Sequence, residues 1–139
     1  MIGYLVDTSA LWRLFREEAI FSSWQPEIEA GSLRICEATR AEFLFSATSP
    51  IDRDEIAADL DTLFGSAGVP KSAWRWVDTA QYKLTQRGQH RSAGVVDLVV
   101  SATAVHHDLM VLHADADFAA VARVLPEFRQ QDIRTATGA

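Results

Sequence analysis

The sequence predicts an α/β fold: a short parallel β-sheet flanked by helices on both faces. Three observations carry that expectation. Strand-like and helix-like segments alternate along the chain, and the strand-like runs are short and apolar throughout, the pattern of parallel strands buried on both sides. One helix-length run, GVVDLVVSATAV over residues 94–105, is apolar around its whole circumference, as expected of a central helix. At 139 residues and 15.4 kDa the chain suits one compact domain spanning residues 1–139.

The elements follow in order. IGYLV, residues 2–6, reads as the first strand, and Thr8 and Ser9 are suitable N-caps for the amphipathic helix ALWRLFREE. Ser22 to Glu29 forms a short second helix stopped at Gly31, and LRIC, residues 33–36, a second strand. The segment EATRAEFLFSA is a third helix ending before Pro50. In IDRDEIAADLDTLFG, Asp52 and Glu55 form a capping box and Gly65 supplies the stop. A further helix runs from about Ser72 to Arg87, closed by Gly88, with Trp74, Val77, Ala80 or Gln81, and Leu84 on one face. After the apolar helix come a strand, MVLH at 110–113, and a short helix, DFAAVARVL. The tail TATGA is expected to be disordered.

Composition narrows the function classes. A hydrophobic fraction of 48% with 23% charged residues fits a soluble globular protein, without repeats or low-complexity segments. No window reaches the roughly 20 apolar residues that cross a bilayer, and MIGYLVDTS lacks the basic lead of a signal peptide, so no membrane association and a cytoplasmic location are expected. Cys36, the single cysteine, fits a reducing compartment and reads as a small core side chain. The net charge of -6 disfavours polyanions at long range unless the acids cluster around bound cations.

The acids do fall in a pattern. In a parallel sheet, ligands collect at the carboxyl ends of the strands. Asp7 stands directly after the first strand, and Asp115 and Asp117 directly after MVLH. Glu42 lies early in the helix after LRIC, and Asp97 in the first turn of the apolar helix. Taken singly, Asp7, Asp115 and Asp117 could be turn or cap residues, and Glu42 a solvated one. Asp97 resists that account. A lone buried charge costs several kcal/mol, whereas a helix N-terminus returns about 0.3–2 kcal/mol.

Two carboxylates about 5 Å apart repel by roughly 3 kcal/mol at an effective dielectric of 20, so a joint placement demands cations. An all-oxygen donor set suits Mg2+ or Mn2+ and argues against structural zinc. Such ions complete their coordination with substrate phosphates, which points to phosphodiester hydrolysis. Arg40, Arg87, His90 and Arg91 flank the acids in sequence and are candidate phosphate contacts, with a solvated surface role as the ordinary alternative. Trp74 and Trp76 could stack on bases, though core or interface packing is the commoner use. Leu14, Phe15, Phe21 and Trp24 are candidates for a partner surface or, more ordinarily, for the core.

Over nearly its whole length the chain resembles the PIN-domain proteins, and among them the VapC-type toxins of bacterial toxin–antitoxin pairs. The resemblance rests on YLVDTSAL, on ATRAEFLFSA with its Glu42, and on GQHRSAGVVDLVVSATAVHHDLMVLHADADF. It implies a single PIN-like domain that is a Mg2+- or Mn2+-dependent endoribonuclease cutting tRNA or rRNA. It also implies a homodimer inhibited by a VapB-like antitoxin laid across the site. Carried over by motif, the acidic quartet falls on Asp7, Glu42, Asp97 and Asp115, with Asp117 a fifth acid near the metals. Asp7, Asp97 and Asp115 are then principal ligands, while Thr8 or Ser9 fixes a carboxylate or phosphate by hydrogen bonding. Family members commonly carry Thr or Asn-like residues near the last strand where this chain has His113. Two other readings stand beside this one. One is an inert PIN-like module whose acids hold a structural ion or an antitoxin arginine; the other is an α/β phosphatase using the DAD at 115–117, which Ser9 two positions after Asp7 disfavours.

Overall fold

The computed structural model describes residues 2–135. Five parallel strands form one sheet in the order β3-β2-β1-β4-β5: β1 Tyr4–Val6, β2 Leu33–Ile35, β3 Gly65–Ser66, β4 Met110–His113 and β5 Gln130–Asp132. Seven helices surround it: α1 Thr8–Arg16, α2 Glu18–Glu29, α3 Glu37–Leu44, α4 Pro50–Leu63, α5 Ala73–Gln86, α6 Val95–His106 and α7 Asp117–Val124. The parallel register sets Tyr4 beside Leu33 on one flank and Met110 on the other. The expected α/β architecture is what the chain adopts.

Strand alternation explains the two-sided core. Successive side chains point to opposite faces of a sheet. Accordingly Leu5 and Val111 pack with α5, α6 and α7, whereas Tyr4, Val6 and Leu112 pack with α1, Trp24 and Phe43. Trp24 is fully buried; its indole Nε1 donates to the Ile133 carbonyl at 3.0 Å and its ring meets Tyr4 edge-on. Leu14 is also core, Phe21 is half-buried, and only Phe15 of the four proposed surface residues is exposed. In α6 every residue from Leu98 to Ala104 is buried, which makes it the central helix its composition predicts.

Several boundaries differ from expectation for identifiable reasons. Asp7, not Thr8 or Ser9, is the N-cap of α1: its carboxylate accepts from the Ser9 amide, and Thr8 and Ser9 enter the helix. The cap of α4 is Ser49, whose hydroxyl accepts from the Asp52 amide at 3.0 Å, so Asp52 sits at the third helical position and not at the cap. Helix α2 begins at Glu18, four residues early, and Gly65 opens a strand instead of merely ending a helix. Trp74 lies off the buried face of α5, which is Ala73, Val77, Ala80 and Leu84. Gly31 and Gly88 stop α2 and α5 with positive φ of 75° and 67°, as their sequence positions suggest. Asp108 ends α6 in the same left-handed conformation, φ 55°, a role open to Asp at small cost.

The two edge strands carry no apolar signature, and the sequence pattern does not announce them. Of the tail TATGA, only Thr135 is among the described residues; it bonds to Asp132. Among the described residues no helix is long and apolar enough to cross a membrane.

Candidate active site

The carboxyl edge of the sheet gathers the acids. Asp7 follows β1, and its amide still pairs with the Leu112 carbonyl at 2.9 Å, so its position is fixed by the sheet itself. Its Oδ2 accepts from the Ser9 amide at 3.1 Å and the Ser9 hydroxyl at 2.7 Å. That hydroxyl in turn accepts from the Ala114 amide at 2.9 Å. Ser9 therefore ties the end of β1 to the end of β4, and with it Asp7 to the turn carrying Asp115.

Asp115 is set by the same turn. Its amide donates to His113 Nδ1 at 3.0 Å, while Nε2 of that ring lies 2.5 Å from Gln130 Oε1 on β5. A ring nitrogen that accepts an amide proton carries none, so Nε2 holds the hydrogen and donates it to Gln130. The buried ring also stacks on Phe118. Asp115 Oδ1 accepts from the Asp117 amide at 2.9 Å. It thus performs the capping expected of Asp117, which instead occupies the first turn of α7.

Glu42 comes from α3, and its Oε1 accepts from Thr8 Oγ1 at 2.5 Å. Asp97 lies in the first turn of α6, with Oδ2 accepting from the Gly94 amide at 3.3 Å. Burial, then the charge of Asp7, push the Asp97 carboxyl up to about 6, and the charges of Asp115 and Glu42 add to this against the Gly94 bond. Burial likewise raises Asp7, opposed by its bonds to Ser9 and reinforced by Glu42. Asp117 is exposed; slight burial and the Asp115 charge raise it. Asp7, Glu42, Asp97 and Asp115 are therefore one electrostatic group, and Asp117 joins it only through Asp115.

No Lys or Arg forms an ion pair with any of these four acids; among the described residues the ion pairs engage Glu17, Asp61, Asp108 and Asp132 instead. Nor are three or more His, Cys, Asp or Glu side chains gathered into a ready-made metal cage among the described residues. The donors brought together are carboxylates without thiolate or imidazole, a set suited to a hard divalent ion and not to structural zinc. Mg2+ is held by one or two carboxylates, keeps several waters and draws on substrate phosphates, whereas zinc needs a closed set of protein ligands. The donor chemistry is all oxygen and negative.

The four candidate RNA contacts divide. His90 and Arg91 are exposed on the loop between α5 and α6, just before Asp97. Arg40 is engaged by Asp61 of α4. Arg87 lies with Lys83 and Arg123 at a separate cavity between α5 and α7. Trp76 is half-buried, donating to Glu127 and lying near Phe128, which is the packing use expected as the commoner one; Trp74 is exposed. Cys36 is buried beside Thr39, as its apolar setting implies.

Two features escaped the sequence reading. The His113 clamp on Asp115 has a signal, a polar residue closing an apolar strand just before DAD. Its partner Gln130 sits on a strand with no apolar pattern and has none.

Comparison with known proteins follows the same lines. The PIN domain family model matches residues 4–124. Ribonuclease VapC6 of Mycobacterium tuberculosis is 39% identical over 101 residues, 73% of this chain and 80% of that protein. Ribonuclease VapC21 of the same organism is 33% identical over 121 residues, 87% of each chain. In three dimensions the chain is similar to a DNA-bound VapBC from Salmonella typhimurium, with TM-score 0.76 and 16% identity over 96% of this chain and 99% of that one. It is also similar to VapBC-1 of nontypeable Haemophilus influenzae, with TM-score 0.77 and 15% identity over 97% and 100%. The last two likenesses are of fold. Together with the family match and the VapC relatives, the acid edge built by β1, α3, α6 and β4 places the chain in the PIN-domain family, in its VapC-type branch.

Proposed function

We propose that this chain is an endoribonuclease of the VapC toxin type, a single PIN domain over residues 1–139 that hydrolyses phosphodiester bonds of tRNA or rRNA. The observation that carries the reading is Asp97, raised to about 6 by burial and by three neighbouring acids that no Lys or Arg neutralises. A fold keeps such repulsion where an outside cation relieves it.

Asp7, Asp97 and Asp115 would serve Mg2+ or Mn2+, one or two of them directly and the rest through the waters such an ion keeps, with Asp117 at the margin. The ion supplies, when bound, a water nucleophile at neutral pH and neutralisation of charge on the phosphate. Ser9 keeps the Asp7 carboxylate and the Asp115 turn in register, so two ligands from different strands move as one unit. Thr8 holds Glu42 by its hydrogen bond, leaving that carboxylate poised to orient the attacking water and accept its proton. His90 and Arg91 stand beside the N-terminus of α6, where they meet phosphates flanking the scissile bond. A homodimer and an antitoxin of the VapB kind that covers the acid edge complete the reading, because an edge this negative suits a cationic inhibitor segment.

The test is cleavage of total RNA by purified protein with Mg2+ or Mn2+, with EDTA, and with Asp97→Asn. Metal-dependent cutting lost in the variant is expected. Undiminished cutting by Asp97→Asn overturns the assignment. Absence of cutting by the native protein with either metal, while it still binds an antitoxin, favours the inert module, whose acids would serve only an antitoxin's arginine.

A further inference from the structure

The cavity between the C-terminal ends of α5 and α7 holds about 330 Å³ and is lined by Lys83, Gln86, Arg87, Arg123, Val124 and Pro126. Three of its six lining residues are cations and none is an acid. Among the described residues Lys83, Arg87 and Arg123 form no ion pair, as is true of most Lys and Arg of this chain, but these three line a single cavity. Glu127, the nearest acid in sequence to Arg123, accepts from the Trp76 indole at 3.2 Å. Lys83 and Arg87 stand four apart along α5, a spacing at which like charges repel. Helix C-termini do favour cations, and Lys83 and Arg123 lie in such last turns. Two terminal charges of about −0.5 still leave three full positive charges with a net of roughly +2. A chain of net charge -6 has placed an uncompensated positive pocket at one spot.

We propose that this cavity is a phosphate-binding subsite for the RNA backbone, separate from the acid edge, with Lys83, Arg87 and Arg123 as its ligands. The proposal rests on the nuclease reading and extends it. The chain runs from Arg87 through the Gly88 turn and the exposed Arg91 to Asp97, so one continuous stretch joins the cavity to the acids. Long-range repulsion of RNA by the acidic chain is thereby offset locally, and the substrate is gripped at a distance from the bond that is cut.

The experiment measures binding of fluorescein-labelled total tRNA in EDTA at several salt concentrations. It compares the native chain, the double variant Lys83→Gln/Arg123→Gln, and the control Arg53→Gln/Lys71→Gln, which removes the same charge elsewhere on the surface. Each phosphate contact contributes about 0.7–0.9 to the slope of log affinity against log salt. Loss of two contacts therefore flattens the slope by about 1.4–1.8 in the first variant, and affinity falls about tenfold at moderate salt. The control slope and both melting temperatures stay near native, which a merely structural role for Lys83 and Arg123 would not allow. Equal flattening in variant and control shows general charge and overturns the subsite. A native slope in the cavity variant, with native tRNA binding intact, overturns the subsite but spares the nuclease reading. If that variant instead loses affinity for an acidic antitoxin segment, the cavity is a protein site and the proposal fails. Failure of the native chain to bind tRNA and to cut any species of total RNA with Mg2+ or Mn2+ overturns the nuclease reading and the subsite together.

Discussion

Asp97 and Asp132 are the same residue type in the same small fold, yet burial and neighbouring acids push one carboxyl up to about 6, while the Arg134 guanidinium holds the other down to about 2. Asp132 has its cation built in, through contacts of 2.6 and 2.9 Å from Arg134. Asp97 faces three more acids and no cation. The Asp132–Arg134 pair is electrically closed. The carboxyl edge is open, and its deficit is one that a divalent ion and a phosphate together would fill.

The largest expected effect breaks the open region. Asp97→Asn reduces RNA cleavage by well over about 100-fold, beyond the roughly 10–100-fold that follows loss of a supporting partner to a ligand; single-turnover assays at fixed Mn2+ read this directly. Ser9→Ala is the supporting case. It removes the hydrogen bonds that couple Asp7 to the Ala114 amide, so activity falls by about 10–100-fold and stability by about 1–2 kcal/mol. Native activity in Ser9→Ala would show that the two strands need no such link.

Removal of the deficit also stabilises the fold. In the unfolded chain Asp97 loses its proton near 3.8 and in the folded chain near 6. Between those values the folded state binds more protons, so stability falls as pH rises through the window. Ionised Asp97 costs on the order of 1–2 kcal/mol at pH 7 once solvent screening of this half-buried group is allowed for. Asp97→Asn therefore melts several degrees higher than the native chain at pH 7 without metal, and the gap closes toward pH 4. Divalent ions act in the same direction on the native chain: at 100 times the dissociation constant they add about 2.7 kcal/mol, reversed by EDTA. A melting temperature indifferent to Mg2+ and Mn2+ would count against the site.

The smallest effect belongs to the closed region. Arg134→Gln breaks a solvent-exposed pair and changes stability by about 0–1 kcal/mol, with cleavage untouched. A large loss of activity there would erase the contrast between the two regions.

What was legible in the sequence follows from which signals are local. Asp7, Asp97 and Asp115 were legible because strand ends and a helix start fix their place on the sheet edge; Asp97 stood out as a carboxylate in an apolar helix, although its bond to the Gly94 amide also gives it the local capping role that the sequence reading set aside. The inner strands β1, β2 and β4 were visible as apolar runs; β3 and β5 were not, since two or three polar residues at a sheet edge carry no pattern and exist only through pairing with Arg34, Ile35 and β4. Caps slipped by one to three residues where several Asp, Ser and Thr compete, as around Asp7–Ser9 and Ser49–Asp52. The Ser9–Ala114 bond and the pairing of His113 with Gln130 link residues distant in sequence, so they appear only when the sheet is assembled. Trp74 shows the limit of helical periodicity, which ranks faces but does not tell which edge of a stripe meets solvent.

The most direct measurement is the titration of the Asp97 carboxyl followed by carbon-13 NMR, with and without Mg2+. Without metal its midpoint lies near 6; with millimolar Mg2+ it falls, because a bound divalent cation favours the ionised form. An unchanged midpoint near 6 in both titrations, or a midpoint already near 3.8 without metal, would contradict the account.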